Sequence, residues 1–171
     1  MNKEDQFKKI GKDLGRWKRH LPHFQSGGRT LFVTWRCLEN VSLSTSERQI
    51  VLDCIRHFHR DRYLVFTVVV MPDHTHLLLQ PCEKSAGNWW NLGELLKGMK
   101  GVSARRINES RGTLGSLWQD ERYDRQVRSR TDFEEKWSYI RLNPVRAGLV
   151  SVAEDWDSLW LPASIEGWLP N

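Results

Sequence analysis

The alternation of apolar and polar positions along the chain separates short strand-like runs from longer helical ones. Runs of β-branched and apolar residues bounded by turn residues are typical of strands, whereas apolar residues recurring every three or four positions indicate helices. These patterns predict strands over 30–37, 63–70, 74–80 and 123–128, and helices over 46–60, 91–108 and from 131 or 132 through 142. Met71-Pro72-Asp73 carries turn chemistry, so the two middle strands should form a hairpin.

The order of the first six predicted elements is strand, helix, strand, strand, helix, strand, which is the split βαβ pattern of ferredoxin-like folds. We therefore predict an α+β fold, a ferredoxin-like split βαβ sandwich with an antiparallel sheet and helices on one face. The last helix is extra to this pattern, so it is free to carry functional groups. Ser44 and Glu47 fit a capping box before the first helix, and the polar stretch 83–88 is predicted to be a loop.

Charge is distributed unevenly along the chain, whose net charge is +5 and whose pI is near 9.3. Residues 1–20 contain seven Lys and Arg against three acidic residues, residues 97–130 contain nine against four, and residues 151–171 contain none against four. We predict a basic N-terminal arm over 1–28, one folded domain over 29–150, and an acidic, Trp-rich tail over 151–171. Regional basic charge favours a polyanionic partner.

The composition argues against a secreted or membrane protein. The three cysteines, Cys37, Cys54 and Cys82, form no C-x-x-C pair, which favours a reducing, cytoplasmic setting. The N-terminal residues lack the apolar core of a signal peptide, and the longest apolar runs are far shorter than a membrane span. Nine Trp and six Phe are expected mainly in the core, but aromatic residues among basic ones can also stack on unpaired bases.

Two His-x-His segments differ in the element that is predicted to carry them. On a strand, residues two apart point to the same face, so His74 and His76 should project together at the start of the second hairpin strand. His57 and His59 fall on the predicted first helix, where residues two apart diverge by about 200° and cannot share a small ion. The strand pair is therefore the candidate metal site, although strand histidines can also be ordinary hydrogen-bonded residues.

Tyr139 and Asn143 are four residues apart on the last predicted helix, so a hydroxyl and an amide lie on one helical face. If that face meets the strand with His74 and His76, the amide oxygen completes a three-ligand site with the phenol beside it. Two imidazoles and a carbonyl oxygen with open positions suit Mn²⁺ or Mg²⁺, whereas a structural zinc site needs four ligands. The alternative is that Tyr139 packs in the core and Asn143 caps the helix before Pro144.

Three segments, VVVMPDHTHLLLQP, LWQDERYDRQVRSRTDFEEKWSYIRLNPVRAGLV and EDWDSLW, resemble the REP-associated tyrosine transposases, a branch of the single-tyrosine HUH transposases. The resemblance covers about residues 30–160 and includes the ferredoxin-like sheet. It implies that His74, His76 and Asn143 hold a divalent metal, Mg²⁺ or Mn²⁺, and that Tyr139, on the extra C-terminal helix, is the nucleophile. No nucleotide cofactor is expected, since the sequence has no P-loop motif.

The chain departs from the family pattern at three positions. Thr75 replaces a residue that is usually apolar, which should be harmless on the opposite face of the strand. Asp73 replaces a more common Asn, and it is either a further acidic ligand or a turn residue. Arg125 follows Asp124 where histidine is frequent, which puts in doubt a role in proton transfer or metal support at that position.

The resemblance implies a metal-dependent nickase and strand-transferase that cuts single-stranded DNA beside hairpins of the repetitive extragenic palindrome type, through a 5′-phosphotyrosine. A monomer with its tyrosine acting in cis is expected, with a dimer as the alternative. The residues expected to contact DNA phosphates are Lys97, Lys100, Arg105 and Arg106 on the second helix, and Arg122, Arg125 and Arg128 on and after the following strand.

Two other functions fit the same residues. One is a hairpin-DNA binding protein without transposition activity, and the other is a metal-dependent hydrolase of a different phosphoester. A hydrolase would keep its activity after Tyr139→Phe, whereas the transferase would lose covalent capture of DNA.

Overall fold

The computed structural model describes residues 27–162, so most of the predicted basic arm and the end of the predicted acidic tail lie outside the described residues. The strands are β1 (Leu31–Cys37), β2 (Tyr63–Val70), β3 (His74–Pro81), β4 (Glu83–Ser85), β5 (Asn88–Trp89), β6 (Trp118–Gln126) and β7 (Leu159–Trp160). The helices are α1 (Thr45–Arg56), α2 (Leu92–Arg111), α3 (Arg130–Arg141), the short α4 (Asn143–Arg146) and a 3₁₀ turn at Ala153–Asp155. Within the described residues, no helix is long and apolar enough to cross a membrane.

The centre of the fold is a five-stranded sheet in the order β6-β1-β3-β2-β7, and all neighbouring strands are antiparallel. Together with α1 and α2, the first four strands of this order form the split βαβ arrangement, so the predicted fold class is confirmed. The fifth strand was not predicted, because Leu159 and Trp160 form a run too short to show strand alternation. This strand pairs with β2 through Val68 and Val69.

The two faces of the sheet bury different helices. Alternate residues of β1, such as Val33 and Trp35, pack against α1 and α2 in the larger core, and both helices lie on one face as predicted. Phe32, which directly precedes Val33, faces the opposite side, where Phe133 and Ile140 of α3 form a second core. The extra helix therefore covers the face that the ferredoxin-like elements leave open.

The ends of several elements differ from the prediction. The capping box of Ser44 and Glu47 is present, but α1 ends at Arg56, four residues early, and the chain then turns through Arg60 at a φ of 72°. The stretch predicted as a loop forms the small β4–β5 hairpin, with Gly87 at a φ of 74° in its turn. Ser129, rather than Thr131 or Asp132, caps α3 by accepting a hydrogen bond from the Asp132 backbone.

Thr75 lies on the face of β3 opposite the two histidines, as predicted from strand alternation. The side chain is fully buried, and its hydroxyl makes no hydrogen bond within the described part of the chain. A buried hydroxyl without a partner costs free energy of folding, so the expectation that threonine is harmless at this position stays a prediction.

Candidate active site

The two histidines of β3 share one face and are each held by a neighbour through Nδ1. His74 Nδ1 lies 2.6 Å from a carboxylate oxygen of Asp73, and His76 Nδ1 lies 2.7 Å from the hydroxyl of Thr34 on β1. The two rings are 4.6 Å apart between centroids. Because both Nδ1 atoms are engaged, the Nε2 atoms are the ones left to bind a ligand.

His76 is buried, whereas His74 is partly exposed. Burial holds the pKa of His76 well below its ordinary value, and the positive charges of His74 and Arg36 act in the same direction. The His76 ring is therefore neutral at pH 7, which is the form that coordinates a metal ion.

Helix α3 brings the phenol of Tyr139 to the histidine pair. The ring of Tyr139 lies 5.2 Å from that of His76 and 6.0 Å from that of Phe32, in both cases edge to face. Asn143 begins α4 one turn later, and its side chain is hydrogen-bonded to the Tyr139 hydroxyl. The structure thus brings together the four predicted residues, His74, His76, Tyr139 and Asn143, while their roles stay a prediction.

The alternative account of Asn143, as a capping residue before Pro144, stays open. The start of α4 has no side-chain cap. A hydrogen bond from the Asn143 side chain acts to lower the pKa of Tyr139, which places the amide beside the phenol.

Burial raises the pKa of Tyr139, because a buried phenolate loses its hydration. The charge of Arg146, the hydrogen bond from Asn143 and the charge of Arg36 all act against this rise. The guanidinium carbon of Arg146 lies 5.6 Å from the centre of the phenol ring. Two arginines therefore favour negative charge at this oxygen, in opposition to burial.

Arg36 is a site residue that the sequence analysis missed. It lies opposite His74 in the pairing of β1 with β3, and its guanidinium is 3.6 Å from Asp73. Its charge acts on both His76 and Tyr139. Position 36 follows a buried residue on a predicted strand, so the alternation of side chains along the strand could have placed it on the polar face. That it lies beside the histidines depends on the order of the strands in the sheet, which the sequence pattern does not show.

Asp73 contacts both His74 and Arg36, and its role as a further ligand or as a turn residue stays a prediction. One carboxylate oxygen bonds His74 and the other faces Arg36, so both oxygens are engaged. The hydrogen bond to His74 is the main reason that the pKa of Asp73 is lowered. A carboxylate bonded to the far nitrogen of a metal-binding histidine is a common way of fixing the ring.

No family model matches the chain. A curated relative, the REP-associated tyrosine transposase of Escherichia coli (strain K12), is 26% identical over 141 residues, which are 78% of this chain and 76% of the relative. A solved structure of a REP-associated tyrosine transposase bound to a REP hairpin matches with a TM-score of 0.68 and 22% identity, over 90% of this chain and 88% of that one. The chain resembles the REP-associated tyrosine transposases in sequence and in fold. The resemblance stated from the motifs is confirmed.

The predicted metal ligands are two imidazoles and one amide. Within residues 27–162 no group of three or more His, Cys, Asp or Glu side chains could hold a metal ion. The third predicted donor is the amide of Asn143, which lies outside those residue types. Two imidazole nitrogens and an amide oxygen fit a divalent ion that keeps further positions for oxygen ligands.

Three of the residues predicted to contact DNA lie together, on the other face of the sheet from Tyr139. Lys97 and Lys100 of α2 and Arg122 of β6 line one cavity. Arg122 pairs with Trp35 in the sheet, which places it on the side of α1 and α2. Lys100 Nζ donates a hydrogen bond of 2.7 Å to the Gln119 carbonyl.

The other two arginines of α2 lie outside this cavity. Arg105 is exposed and lies 4.0 Å from Glu109 on the same helix. Arg106 contacts α1, where its Nη1 donates to the Cys54 sulfur at 3.9 Å. The predicted basic face of α2 is therefore divided.

Arg125 lies on the same sheet face as Tyr139, opposite Phe32 in the strand pairing. Its guanidinium pairs with Asp132 of α3 at 3.4 Å. The side chain is therefore engaged by α3, at the position where the family often has a histidine. The backbone N–H of Arg128 donates to the same carboxylate, and the Arg128 side chain is exposed. The seven predicted basic residues thus do not form a single surface.

Proposed function

We propose that this protein is a metal-dependent single-stranded DNA endonuclease and strand-transferase that nicks DNA beside palindromic hairpins, with Tyr139 as the nucleophile. The observation that carries the proposal is the cluster in which the phenol of Tyr139, bonded to Asn143, lies 5.2 Å from the ring of His76. A tyrosine with this combination of neighbours has the parts required for covalent phosphoryl transfer.

The reaction exchanges one phosphoester bond for another. The Tyr139 oxygen attacks the phosphorus atom and forms a new P–O bond, while the bond from phosphorus to the 3′ oxygen breaks. The phenol gives its proton to solvent, and the departing 3′ oxygen takes up a proton. The products are a 5′-phosphotyrosine and a free 3′-hydroxyl, and the reverse reaction on a new end rejoins DNA without ATP.

The side chains around Tyr139 prepare it for attack. Burial keeps the phenol protonated at pH 7, so the deprotonated form needs help. Arg36 and Arg146 favour negative charge on the oxygen, and Asn143 fixes its position. Phe32 packs edge-on against the phenol at 6.0 Å between centroids and keeps that side of the site apolar.

His74, His76 and Asn143 would hold the divalent ion, Mg²⁺ or Mn²⁺. When bound there, such an ion polarises the scissile phosphate and neutralises charge on its oxygens. Thr34 and Asp73 fix the two imidazole rings through their Nδ1 atoms, so neither ring has to reorient on binding.

The substrate class follows from the resemblance, since a similar solved structure is that of a transposase bound to a REP hairpin. Hairpin DNA with a flanking single strand is accordingly the proposed partner, and the basic residues of α2 and β6 are its proposed phosphate contacts. The contact of Tyr139 with His76 of its own chain supports a monomer that acts in cis.

The experiment is to incubate the protein with Mg²⁺ or Mn²⁺ and end-labelled oligonucleotides that carry the palindromes flanking its own gene, and to separate the products on a denaturing gel. We expect a metal-dependent covalent adduct that is lost in Tyr139→Phe. Tyr123→Phe is the matched control, because Tyr123 also packs against Phe32, 6.1 Å between centroids, and should keep the adduct. Cleavage that persists in Tyr139→Phe would contradict the tyrosine mechanism and favour a hydrolase.

A second candidate is a hairpin-DNA binding protein without transposition activity. The raised pKa of Tyr139 favours it, since a protonated phenol is a poor nucleophile. Tight hairpin binding with no adduct in either metal, in wild type and in Tyr139→Phe alike, would establish this function instead.

A further inference from the structure

A cavity of about 430 Å³ lies between α2 and β6, on the face of the sheet opposite Tyr139. It is defined by two sides: Lys97, Lys100 and Gly101 of α2, and the segment from Gly115 to Arg122. We call it the α2–β6 cavity. Its volume falls in the range of known small-ligand sites, roughly 300–1,000 Å³.

The charges in the α2–β6 cavity suit an anion. Lys97, Lys100 and Arg122 line it together with one carboxylate, that of Asp120, so the positive side chains are in excess. One N–H of the Lys100 ammonium donates to the Gln119 carbonyl, so two N–H groups remain for a ligand. Burial lowers the pKa of Lys100, and the charge of Asp120 opposes that shift.

The charge of Arg122 has a partner, but one of its donors is unused. Its Nε forms an ion pair with a carboxylate oxygen of Asp124 at 3.3 Å, yet this nitrogen is shielded from solvent and makes no hydrogen bond within the described residues. Its Nη2 lies close to the first turn of α2. If Gly93 carried a Cβ atom, that atom would be 4.0 Å from this nitrogen. A partly buried guanidinium with unused donors is a group that an incoming phosphate can satisfy.

The remaining lining of the cavity is small or apolar. Ala104 of α2 is half-buried and supplies apolar surface, to which the mostly buried Leu96 and Leu117 add their edges, and Gly101 leaves room above it. A site with cations on one side and apolar atoms on another is complementary to a nucleotide, because the phosphate is charged and the base has an apolar face.

We propose that the α2–β6 cavity binds one nucleotide of the single-stranded part of the DNA substrate, its phosphate held by Lys97, Lys100 and Arg122 and its base packed on Leu96, Ala104 and Leu117. This inference rests on the proposed function and adds a second contact point for the same strand. The inference places this second contact on the α1 and α2 face of the sheet, which the proposed reaction at Tyr139 alone does not require the DNA to reach.

The path of the strand follows from the position of β6. This strand is at the edge of the five-stranded sheet, so DNA can pass round it from one face to the other. Arg122 and Tyr123 are neighbours in β6 and point to opposite faces, and Tyr123 packs against Phe32 on the Tyr139 side. The two faces are separated by the thickness of a single sheet, which a few nucleotides can span.

Two glycines of α2 provide a matched test. A side-chain carbon added to Gly101 or to Gly98 meets no atom within 4 Å, so leucine fits at both positions. Only Gly101 lines the cavity, so Gly101→Leu fills it without a change in charge, while Gly98→Leu makes the same change outside it. Both variants replace a helical glycine and should be at least as stable as wild type.

The measurement is the affinity for a fluorescent hairpin oligonucleotide with a single-stranded flank, followed by a scan in which each flank nucleotide is made abasic in turn. We expect Gly101→Leu to weaken binding roughly tenfold and Gly98→Leu to leave it unchanged. One abasic position should weaken wild type by a similar factor and have no effect in Gly101→Leu. That single position would identify the nucleotide in the cavity.

Other results separate the failures. If wild type binds the hairpin and forms the Tyr139 adduct while both leucine variants bind with wild-type affinity, this inference is overturned and the proposed function stands. If wild type binds no hairpin DNA, both are overturned. If a deoxynucleoside monophosphate binds wild type and Gly98→Leu but not Gly101→Leu, while oligonucleotide affinity is equal in all three, the cavity is a site for free nucleotides and the proposal is wrong.

Discussion

The chain contains the pattern His-x-His twice, and the structure gives the two copies different surroundings. His74 and His76 lie on β3 with rings 4.6 Å apart, both held through Nδ1 beside Tyr139. His57 follows the last residue of α1 and packs on its neighbour Phe58, with ring centroids 4.4 Å apart. The same three-residue pattern therefore brings its two rings together where the backbone is extended.

His59, in the second His-x-His segment, makes packing contacts with the sheet. Its Nδ1 accepts a hydrogen bond from the Val65 backbone N–H at 3.0 Å, and its ring lies edge-on to Trp160, 5.0 Å away. Both contacts join the turn after α1 to the sheet. His59 is therefore part of the packing, and the two histidines of this segment do not share a direction.

The difference between the two His-x-His segments is tested most directly by removing one imidazole ring from each. We expect His74→Ala to reduce Mn²⁺ affinity by on the order of 100-fold or more, since loss of even a supporting partner of a metal ligand typically costs 10–100-fold. His57→Ala should leave it unchanged. His74 is partly exposed, so its loss should not unfold the protein. Isothermal titration with Mn²⁺ measures both affinities.

Equal Mn²⁺ affinity in wild type and His74→Ala would show that the strand pair is not a metal site. A large loss in His57→Ala, with His74→Ala unaffected, would reverse the assignment of the two segments. Circular dichroism of both variants shows whether either loss comes from unfolding instead.

Sequence reasoning located the histidine pair and Tyr139 because each depends on a local period. The period of two places His74 and His76 on one strand face, and the spacing of four places Tyr139 and Asn143 on one helix face. The meeting of the two faces is a tertiary fact, which required Phe133 and Ile140 of α3 to pack on the sheet. The family resemblance supplied that step in advance of the structure.

The parts that were missed depend on strand order and register. Arg36 reaches the site because β1 lies beside β3, and Arg122 and Arg125 are separated because they sit on opposite faces of β6. Neither relation is visible in a window of neighbouring residues. The short strand β7 was missed for a different reason, since its two residues are held by pairing with β2 and not by a pattern of their own.

A change at the start of α1 sharpens the comparison, because it should affect folding without touching the metal site. Glu47 caps α1 and lies 2.5 Å from Nε of Arg111, and this hydrogen bond is the main reason that its pKa is lowered to about 2. The stabilisation from Glu47 is therefore present above its unfolded pKa of about 4.5 and is lost as the pH falls toward 2.

We expect Glu47→Gln to reduce the free energy of unfolding at pH 7 by roughly 2 kcal/mol and to remove part of the acid sensitivity below pH 4.5. Urea unfolding at several pH values measures both effects. Mn²⁺ affinity of the folded variant should equal that of wild type, because the change lies on the α1 side of the sheet. Unchanged stability at pH 7 would show that the ion pair contributes little.

The smallest expected effect concerns the residue between the two histidines of each segment. In the strand copy this residue is Thr75, fully buried on the opposite face with an unpaired hydroxyl. In the other copy it is Phe58, whose ring is covered by the Arg62 guanidinium at 3.5 Å. The strand geometry buries the middle side chain completely, whereas Phe58 packs against the same core while only partly buried.

We expect Thr75→Val to raise the free energy of unfolding by about 1 kcal/mol, because valine keeps the branched shape and removes a buried group that has no hydrogen-bond partner. Val33 and Leu77 already surround this layer of the core with apolar atoms. Thermal unfolding compared with that of wild type measures the gain, and Mn²⁺ affinity should not change since the histidines face the other way. A loss of stability would mean that the hydroxyl has a partner in solution, and that the face opposite the histidines is polar where the structure shows it to be apolar.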